Sequence, residues 1–160
     1  MSEKKALQAV REQIDKVDKQ LQDLLNERTA LAHQVAEIKQ QSGEQADFYR
    51  PEREAMILRQ VMERNVGPLS DKEMARLFRE IMSACLAAEK PLRIAYLGPE
   101  GSFTQAAALK HFGGSAELHP VSTIANVFSA VETEYACYGV VPVENSTEGM
   151  VNHTLDRFVS

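Results

Sequence analysis

The chain has 160 residues, of which 44% are hydrophobic and 26% are charged, a composition typical of a globular protein with one domain or two small ones. Its formal net charge of −5 argues against nucleic acid or an anionic membrane as a partner, since both require a basic surface. Cys85 and Cys137 suggest neither a disulfide framework nor a metal site. With no signal peptide and no apolar membrane span in the sequence, these features favour the cytoplasm.

Residues 5–41 predict one long helix, because they are rich in good helix formers and contain neither Gly nor Pro. Apolar residues recur in this segment at alternating spacings of three and four, as in the a and d positions of a heptad repeat. The a position between Leu24 and Leu31 holds Arg28 instead. We name this predicted helix α1 and call its apolar residues the α1 seam: Leu7, Val10, Ile14, Val17, Leu21, Leu24, Leu31, Val35 and Ile38.

Two shorter helices are predicted next. Pro51 suits the first position of a helix, and the apolar residues after it recur with helical spacing. Ser70 and Glu73 form a capping-box pattern, which predicts a third helix from there to about Glu89. One long helix and two short ones cannot close a compact core by themselves. We therefore expect a second copy of the chain to complete an intertwined helical dimer.

The pattern changes at Lys90-Pro91, where strand-like apolar runs begin to alternate with helical segments. The order β-α-β-α-β-α predicts a parallel sheet with helices on its faces. The predicted domains are therefore residues 1–90 and residues 91–160, and the pattern of residues 91–160 is that of a truncated domain. Its strands are predicted in LRIAYL, AELHPV and YGVVPV, its loops in GPEGS and ENSTEG, and its last helix from Met150.

Ionisable residues lie at the edge of the predicted buried face of every helix in residues 1–90. Arg11 and Lys39 occupy e positions, beside the a row that contains Arg28. Cations and a carboxylate around an apolar space suit a small dianionic ligand, because Arg binds carboxylates through a planar pair of donors and Lys provides a point charge. The shorter helices contribute Arg53, Glu54, Cys85 and Glu89 to this set.

Each of these residues also has an ordinary structural interpretation, which the pattern leaves open. Arg28 can set the register of a coiled coil, or pack its aliphatic stem while its charge reaches water. Arg11 and Lys39 suit solvated e positions. The charges of the shorter helices suit exposed helix ends, and a buried cysteine acts as a small apolar residue.

The spacing from Arg11 through Arg28 to Lys39, followed by P-E-R-E with Arg53-Glu54, resembles the all-helical chorismate mutases over about residues 5–90. The segments YLGPEGSFTQAA and VPVENSTEGMVNHTLD resemble the start of prephenate dehydratase domains. A mutase followed by a dehydratase is the order found in the bifunctional enzymes of phenylalanine biosynthesis. The resemblance implies an all-α three-helix mutase domain that forms an intertwined dimer, followed by a partial α/β segment.

The resemblance also implies a mechanism without metal, cofactor or nucleophile. Chorismate would rearrange to prephenate while Arg11, Arg28 and Arg53 bind its two carboxylates. Glu54 would accept a hydrogen bond from the ring hydroxyl. Lys39 would donate to the ether oxygen, which gains negative charge as its bond to carbon breaks.

The geometry of a helix limits which of these cations can bind the same ligand from one chain. Arg28 and Lys39 are eleven positions apart, roughly 16 Å along a helix, so their side chains can reach one small ligand. Arg11 is 28 positions from Lys39, roughly 42 Å, which no side chain spans. If all three cations bind one ligand, Arg11 must come from a second chain in a two-fold dimer.

Three residues depart from the pattern that the resemblance implies. Arg50 stands where Asp is common, and Cys85 replaces Ser with a weaker hydrogen-bond donor. Glu89 replaces a Gln that would donate a second hydrogen bond to the ether oxygen. Because an ionised carboxylate can only accept, Glu89 must be protonated to assist the reaction.

In residues 91–160, the resemblance implies that Gly101 and Ser102 bind prephenate at a helix start, with Asn145 and Ser146 across the cleft. GPEGS is otherwise an ordinary turn between a strand and a helix. The resemblance also implies that dehydratase activity requires a second lobe with a Thr-Arg motif, which these residues lack, so we expect mutase activity alone from the chain as given. The alternative is a non-catalytic helical dimerisation module that carries a small-molecule-binding α/β domain.

Overall fold

The computed structural model describes residues 3–41, 49–145, 149–150 and 154. They form helices followed by a small parallel sheet, as the sequence predicted, and they divide into two compact units, 1–46 and 47–160. The helices are α1 (Glu3–Gln41), α2 (Pro51–Glu63), α3 (Asp71–Glu89), α4 (Phe103–Phe112) and α5 (Ile124–Glu132). The strands are β1 (Arg93–Leu97), β2 (Glu117–Val121), β3 (Tyr138–Val140), β4 (Glu144–Asn145) and β5 (Gly149–Met150).

The first unit consists of α1, which confirms the long helix. It is continuous over 39 residues, roughly 58 Å at the usual helical rise. The nine α1 seam residues are between 51% and 65% exposed in the single chain. The apolar stripe that the heptad pattern predicts is therefore present, and about half of its side-chain surface is exposed in the single chain.

The second unit begins with α2 and α3, which pack against each other. Pro51 is the first residue of α2, where its fixed φ angle suits a helix start. The side chain of Ser70 accepts a hydrogen bond from the backbone N–H of Glu73 at 3.2 Å, which confirms the predicted cap of α3.

The sheet of this unit has the order β2-β1-β3, and both strand pairs are parallel. Helices α4 and α5 connect the strands, which confirms the predicted β-α-β-α-β order. Ile94, Ala95 and Tyr96 of the central strand are fully buried. Because successive side chains point to opposite faces, β1 contributes to two hydrophobic clusters, one on each side of the sheet.

The end of the described chain differs from the prediction. ENSTEG was predicted as a loop, but its ends belong to β4 and β5, which pair antiparallel with Glu144 opposite Met150. Met150 was predicted to start a helix and lies in β5 instead. Strands of two residues are too short to give a periodic signal. Thr154 is helical, and the rest of the last predicted helix lies outside the described residues.

Helix α3 is held against the end of α4 by polar contacts. The backbone N–H of Gly114 donates to Oε2 of Glu80 at 2.9 Å, and the N–H of Ser115 donates to Oγ of Ser83 at 3.3 Å. Gly113 has φ 81° and ψ 173°, a combination that favours glycine strongly. A Cβ atom on Gly113 would lie 2.5 Å from Cβ of Ser83.

We predict that Gly113→Ala lowers the free energy of unfolding by about 2 to 4 kcal/mol, because backbone strain and steric overlap with α3 add together. Gly101→Ala is the matched control: its φ is similar, at +79°, but its Cβ would meet nothing within 4 Å. Backbone strain alone should then cost about 1 kcal/mol. Urea denaturation followed by circular dichroism measures both, and equal losses would contradict the close approach of α3 and α4.

Candidate active site

The three predicted cations of the first unit lie on one uninterrupted helix. Arg28 and Lys39 are half-buried, whereas Arg11 is exposed. The eleven positions from Arg28 to Lys39 correspond to roughly 16 Å, and the 28 positions from Arg11 to Lys39 to roughly 42 Å. One copy of α1 can therefore direct Arg28 and Lys39, but not Arg11, to the same small ligand.

The predicted residues of α2 lie around its first turn. Arg50 is the N-cap residue, and its side chain makes no capping hydrogen bond. Arg53 is exposed, and Glu54 is half-buried. Oε1 of Glu54 is 3.4 Å from Nε of Arg79 on α3, and the two side chains are 16% and 30% exposed. The structure thus fixes Glu54 by an ion pair to a residue that the sequence pattern did not indicate.

Cys85 and Glu89 lie one helical turn apart near the end of α3. Cys85 is buried, with 5% exposure, and Glu89 is half-buried. Both residues follow Arg79 on α3, toward the end of that helix.

Tyr49 is another residue near Glu54 that the sequence pattern did not indicate. Burial raises the pKa of Tyr49 above its ordinary value, and the nearby charge of Glu54 raises it further. The Arg79 cation acts in the opposite direction on this pKa. Tyr49 and Arg79 belong to no apolar helical stripe, so no periodic signal marks them. Tyr49, Glu54 and Arg79 form one cluster of charged and hydrogen-bonded groups in the second unit.

The sheet provides a further candidate site at the carboxyl ends of its strands. Strand β2 follows β1 in the chain and lies on one side of it in the sheet. The chain then crosses over to β3, which lies on the other side of β1. In open parallel sheets, ligands bind in the crevice at such a reversal of strand order. The GPEGS loop follows β1 and the segment leading to Asn145 follows β3, so both lie at this edge.

The loop after β1 is organised by its own hydrogen bonds. The Ser102 side chain accepts from the N–H of Gln105 at 3.3 Å, as the cap of α4, and its hydroxyl is 3.3 Å from the carbonyl oxygen of Leu97. Gly101 has φ 79°, and its N–H donates to the side chain of Gln105. The Ser102 hydroxyl and the N–H groups of Gly101 and Gln105 are thus all engaged in hydrogen bonds within the loop and the start of α4.

The segment after β3 is only partly described. Asn145 belongs to β4 by its backbone, and Ser146 lies outside the described residues. Thr154 is fully buried, and its hydroxyl donates to the carbonyl oxygen of Pro142 at 2.7 Å. Thr154 thus contacts the segment that follows β3. It was not among the predicted site residues, although it lies within the motif VPVENSTEGMVNHTLD.

Metal-binding clusters and membrane-spanning helices are both missing from the described part of the chain. Within residues 3–41, 49–145, 149–150 and 154, no group of three His, Cys, Asp or Glu residues is arranged to hold a metal ion. In the same ranges, no helix combines the length and the apolar character needed to cross a membrane.

Comparison with known proteins identifies two family models along the chain. Residues 10–90 match the model described as chorismate mutase type II, and residues 94–160 match the model described as prephenate dehydratase. The first match includes every predicted site residue of α1, α2 and α3. The other match includes both loops at the edge of the sheet.

Curated relatives match almost the whole chain. A bifunctional chorismate mutase/prephenate dehydratase of Stutzerimonas stutzeri is 58% identical over 162 residues, which covers 99% of this chain and 44% of that protein. The protein of the same name from Pseudomonas aeruginosa is 55% identical over 162 residues, which again covers 99% of this chain and 44% of that protein. A solved structure of prephenate dehydratase from Streptococcus mutans is 49% identical over 41% of this chain and 34% of that chain, with a TM-score of 0.39. The chain thus spans less than half the length of these curated relatives.

Proposed function

We propose that this chain, which belongs to the chorismate mutase type II family, converts chorismate to prephenate. The observation that carries the proposal is the family match over residues 10–90, which spans the predicted site from Arg11 to Glu89. The reaction rearranges bonds within one molecule, so the protein has to hold a compact conformer and stabilise developing charge. Side chains alone can do both.

In this proposal, Lys39 is the residue that acts most strongly on the transition state. The ether oxygen of chorismate gains negative charge as its bond to carbon breaks, and an ammonium group already in place stabilises that charge. Arg28 and Arg53 bind the substrate carboxylates, for which a guanidinium offers two parallel donors. The half-buried positions of Arg28 and Lys39 on the same helix support this assignment.

The other end of the proposed pocket contains Glu54 and the three residues that depart from the family pattern. Glu54 accepts the hydrogen bond of the ring hydroxyl, since an ionised carboxylate is purely an acceptor. Arg50 adds a positive charge at the start of α2, and Cys85 offers a weak donor. Glu89 assists the ether oxygen in its protonated form, because only that form can donate.

We further propose that two copies of the chain form a homodimer through the α1 seam. An apolar stripe along roughly 46 Å of helix exceeds the patches that monomeric proteins usually expose. A second copy running antiparallel offers a stripe of identical length and chemistry, and two-fold symmetry closes the assembly. Arg11 of the partner subunit then reaches the ligand that Arg28 and Lys39 bind, so each dimer has two shared sites.

Residues 91–160 belong to the same proposal as a prephenate-binding region. The edge of the sheet between β1 and β3 would receive prephenate at Gly101 and Ser102, with Asn145 and Ser146 opposite. The relatives that carry both names are longer than this chain, so dehydratase activity is proposed for a longer protein of this kind. The pathway is phenylalanine biosynthesis. The cytoplasm is the proposed location, supported by Cys85 and Cys137, which occur as thiols and so suit a reducing compartment.

The rival function is a non-catalytic dimerisation module that carries a small-molecule-binding α/β domain. The exposed α1 seam favours dimerisation with or without catalysis, so the seam does not distinguish the two functions. The distinguishing measurement is the loss of chorismate ultraviolet absorbance on conversion to prephenate. Catalysis above the uncatalysed rate would exclude the module as the whole function, and its absence would exclude the mutase.

Lys39→Ala should lower turnover more than it weakens substrate binding. The expected loss of transition-state stabilisation is about 2 to 4 kcal/mol, the scale of losing one donor to a developing oxyanion. Lys19→Ala is the matched control, because Lys19 lies on the same helix in an exposed pair with Asp23 at 2.8 Å. Steady-state kinetics on both variants measures the effect. Near-normal turnover of Lys39→Ala would exclude its proposed role.

The shared site predicts complementation between two inactive variants. Arg11→Ala and Arg28→Ala, unfolded and refolded together, should regain roughly a quarter of wild-type activity, since half of the dimers are mixed and each mixed dimer has one intact site. Arg28→Ala with Lys39→Ala is the matched control and should regain nothing, because both lesions come from the same stretch of α1. If mixed dimers form and the first pair regains no activity, each site is built from one chain.

Glu89→Gln should change the pH dependence of the reaction. Turnover of the wild-type chain should fall as pH rises through the titration of Glu89, because its ionised form repels the charge that develops on the ether oxygen. An amide donates at every pH, so the variant should keep its turnover on the alkaline side. Turnover measured from pH 4 to pH 9 compares the two proteins. Parallel profiles would assign Glu89 to a solvated helix end.

A further inference from the structure

Glu54 and Arg79 form an ion pair that joins α2 to α3. Oε1 of Glu54 is 3.4 Å from Nε of Arg79, and the two residues are 25 positions apart in the chain. Their side chains are 16% and 30% exposed, whereas Glu73 and Arg76, which pair on the surface of α3, are 51% and 59% exposed. Because water screens a partly buried pair less than a surface pair, the contact with Arg79 restrains Glu54 effectively.

The backbone that carries Arg79 is fixed to the sheet. Arg79 directly precedes Glu80, whose Oε2 accepts from the N–H of Gly114 at 2.9 Å. Ser83, one turn later, accepts from the N–H of Ser115 at 3.3 Å. Both contacts join α3 to the segment between α4 and β2, so the start of the Arg79 side chain has a defined place.

The start of α2, which carries Glu54, is fixed as well. Tyr49 lies just before α2, and its ring packs in the aromatic cluster that it forms with Phe112 and Tyr138, with centroid distances of 5.4 Å and 5.3 Å. The Tyr49 hydroxyl is 3.1 Å from Nε2 of His111. The two partners of the ion pair therefore stand on backbones that the same sheet holds in place.

A carboxylate with little exposure to water requires a compensating partner, and arginine suits this task. Its guanidinium is always charged, and its N–H donors lie in a rigid plane. With Oε1 of Glu54 held by Arg79, the carboxylate has a defined orientation. Its two oxygens offer about four acceptor positions, so capacity remains for another donor. An acceptor that is oriented before a ligand binds costs less to order on binding.

We propose that Arg79 is a positioning residue of the mutase reaction: it holds Glu54 from α3, so that the carboxylate is oriented to accept the ring hydroxyl of chorismate. This inference rests on the proposed mutase function. It adds a residue outside the predicted site and assigns it no contact with the substrate. The hydroxyl takes no part in the bonds that form or break, so its hydrogen bond is equally strong in the bound substrate and the transition state. Arg79 should therefore influence KM and leave kcat nearly unchanged.

Arg79→Met tests the inference in the full chain, because it keeps an unbranched side chain and removes the guanidinium. KM should rise about five- to tenfold, the scale of weakening one hydrogen bond to a charged group, while kcat stays within about twofold. Loss of structure acts differently, since a smaller folded fraction lowers the apparent kcat and leaves KM unchanged. Steady-state kinetics, followed by the loss of chorismate absorbance, separates the two effects.

The same substitution in a chain that already carries Glu54→Gln distinguishes positioning from direct attraction of the substrate. If Arg79 acts through the Glu54 carboxylate, Arg79→Met should change KM less than about twofold in that chain, because residues that act as one unit are non-additive. Equal rises in KM with Glu and with Gln at position 54 would overturn the inference, since Arg79 would then act on the substrate dianion independently of Glu54.

Arg76→Met is the matched control. It removes the same group from the same helix and breaks an ion pair of 2.9 Å with Glu73, but that pair lies at the surface. KM and kcat should both stay within about twofold of the wild-type values. Arg79→Lys is the second variant, to be used if Arg79→Met does not fold. It keeps the charge without the rigid plane of donors, so KM should rise about threefold. An unchanged KM in that variant would overturn the inference.

The remaining results separate this inference from the function on which it rests. An active wild-type chain with an unaltered Arg79→Met variant would overturn the inference and leave the proposed function intact. A lower kcat with an unchanged KM would also overturn it, because Arg79 would then support only the fold. A wild-type chain without mutase activity would contradict the proposed function and the inference together.

Discussion

The reach of a side chain along a helix limits what one copy of α1 can do. Each residue advances the helix by about 1.5 Å, so the 28 positions between Arg11 and Lys39 exceed any side chain several times over. Arg28 and Lys39 are close enough to bind one small dianion. This spacing gives the arginine in the apolar seam a reason: in the proposed dimer, the seam is also the wall of the pocket. The α1 seam is exposed in the single chain. In the proposed dimer, the second copy covers it.

Features with a local repeat could be predicted from the sequence, and features without one could not. The heptad spacing predicted α1, the Ser70 and Glu73 pair predicted the start of α3, and alternating apolar runs predicted the parallel sheet. The short strands β4 and β5 have too few residues for a period. Tyr49 and Arg79 were missed because their contacts join residues 62 and 25 positions apart, and no local pattern reports such pairs. The grouping of Arg11 with Lys39 remains a prediction.

The division of the chain by packing differs from its division by family. The family models meet between residues 90 and 94, whereas the compact units divide between residues 46 and 47. Two short helices expose much of their apolar surface when they pack only on each other. Here α3 also contacts the end of α4, and Tyr49 enters the aromatic cluster of the sheet. The part of the chain that matches the mutase family therefore contributes to both units, while the predicted boundary at residue 90 stays a prediction.

A reaction without covalent catalysis depends on the placement and balance of charges, and two departures from the family pattern change that balance in opposite directions. Relative to the family pattern, Arg50 in place of an Asp raises the net charge of the proposed pocket by two, and an ionised Glu89 in place of a Gln lowers it by one. Arg50 is the N-cap of α2, and Glu89 is the last residue of α3. Arg50 favours the ionised form of a nearby carboxylate, whereas the substrate dianion favours the protonated form. In the proposed pocket, the net charge around the substrate is therefore set by both positions together.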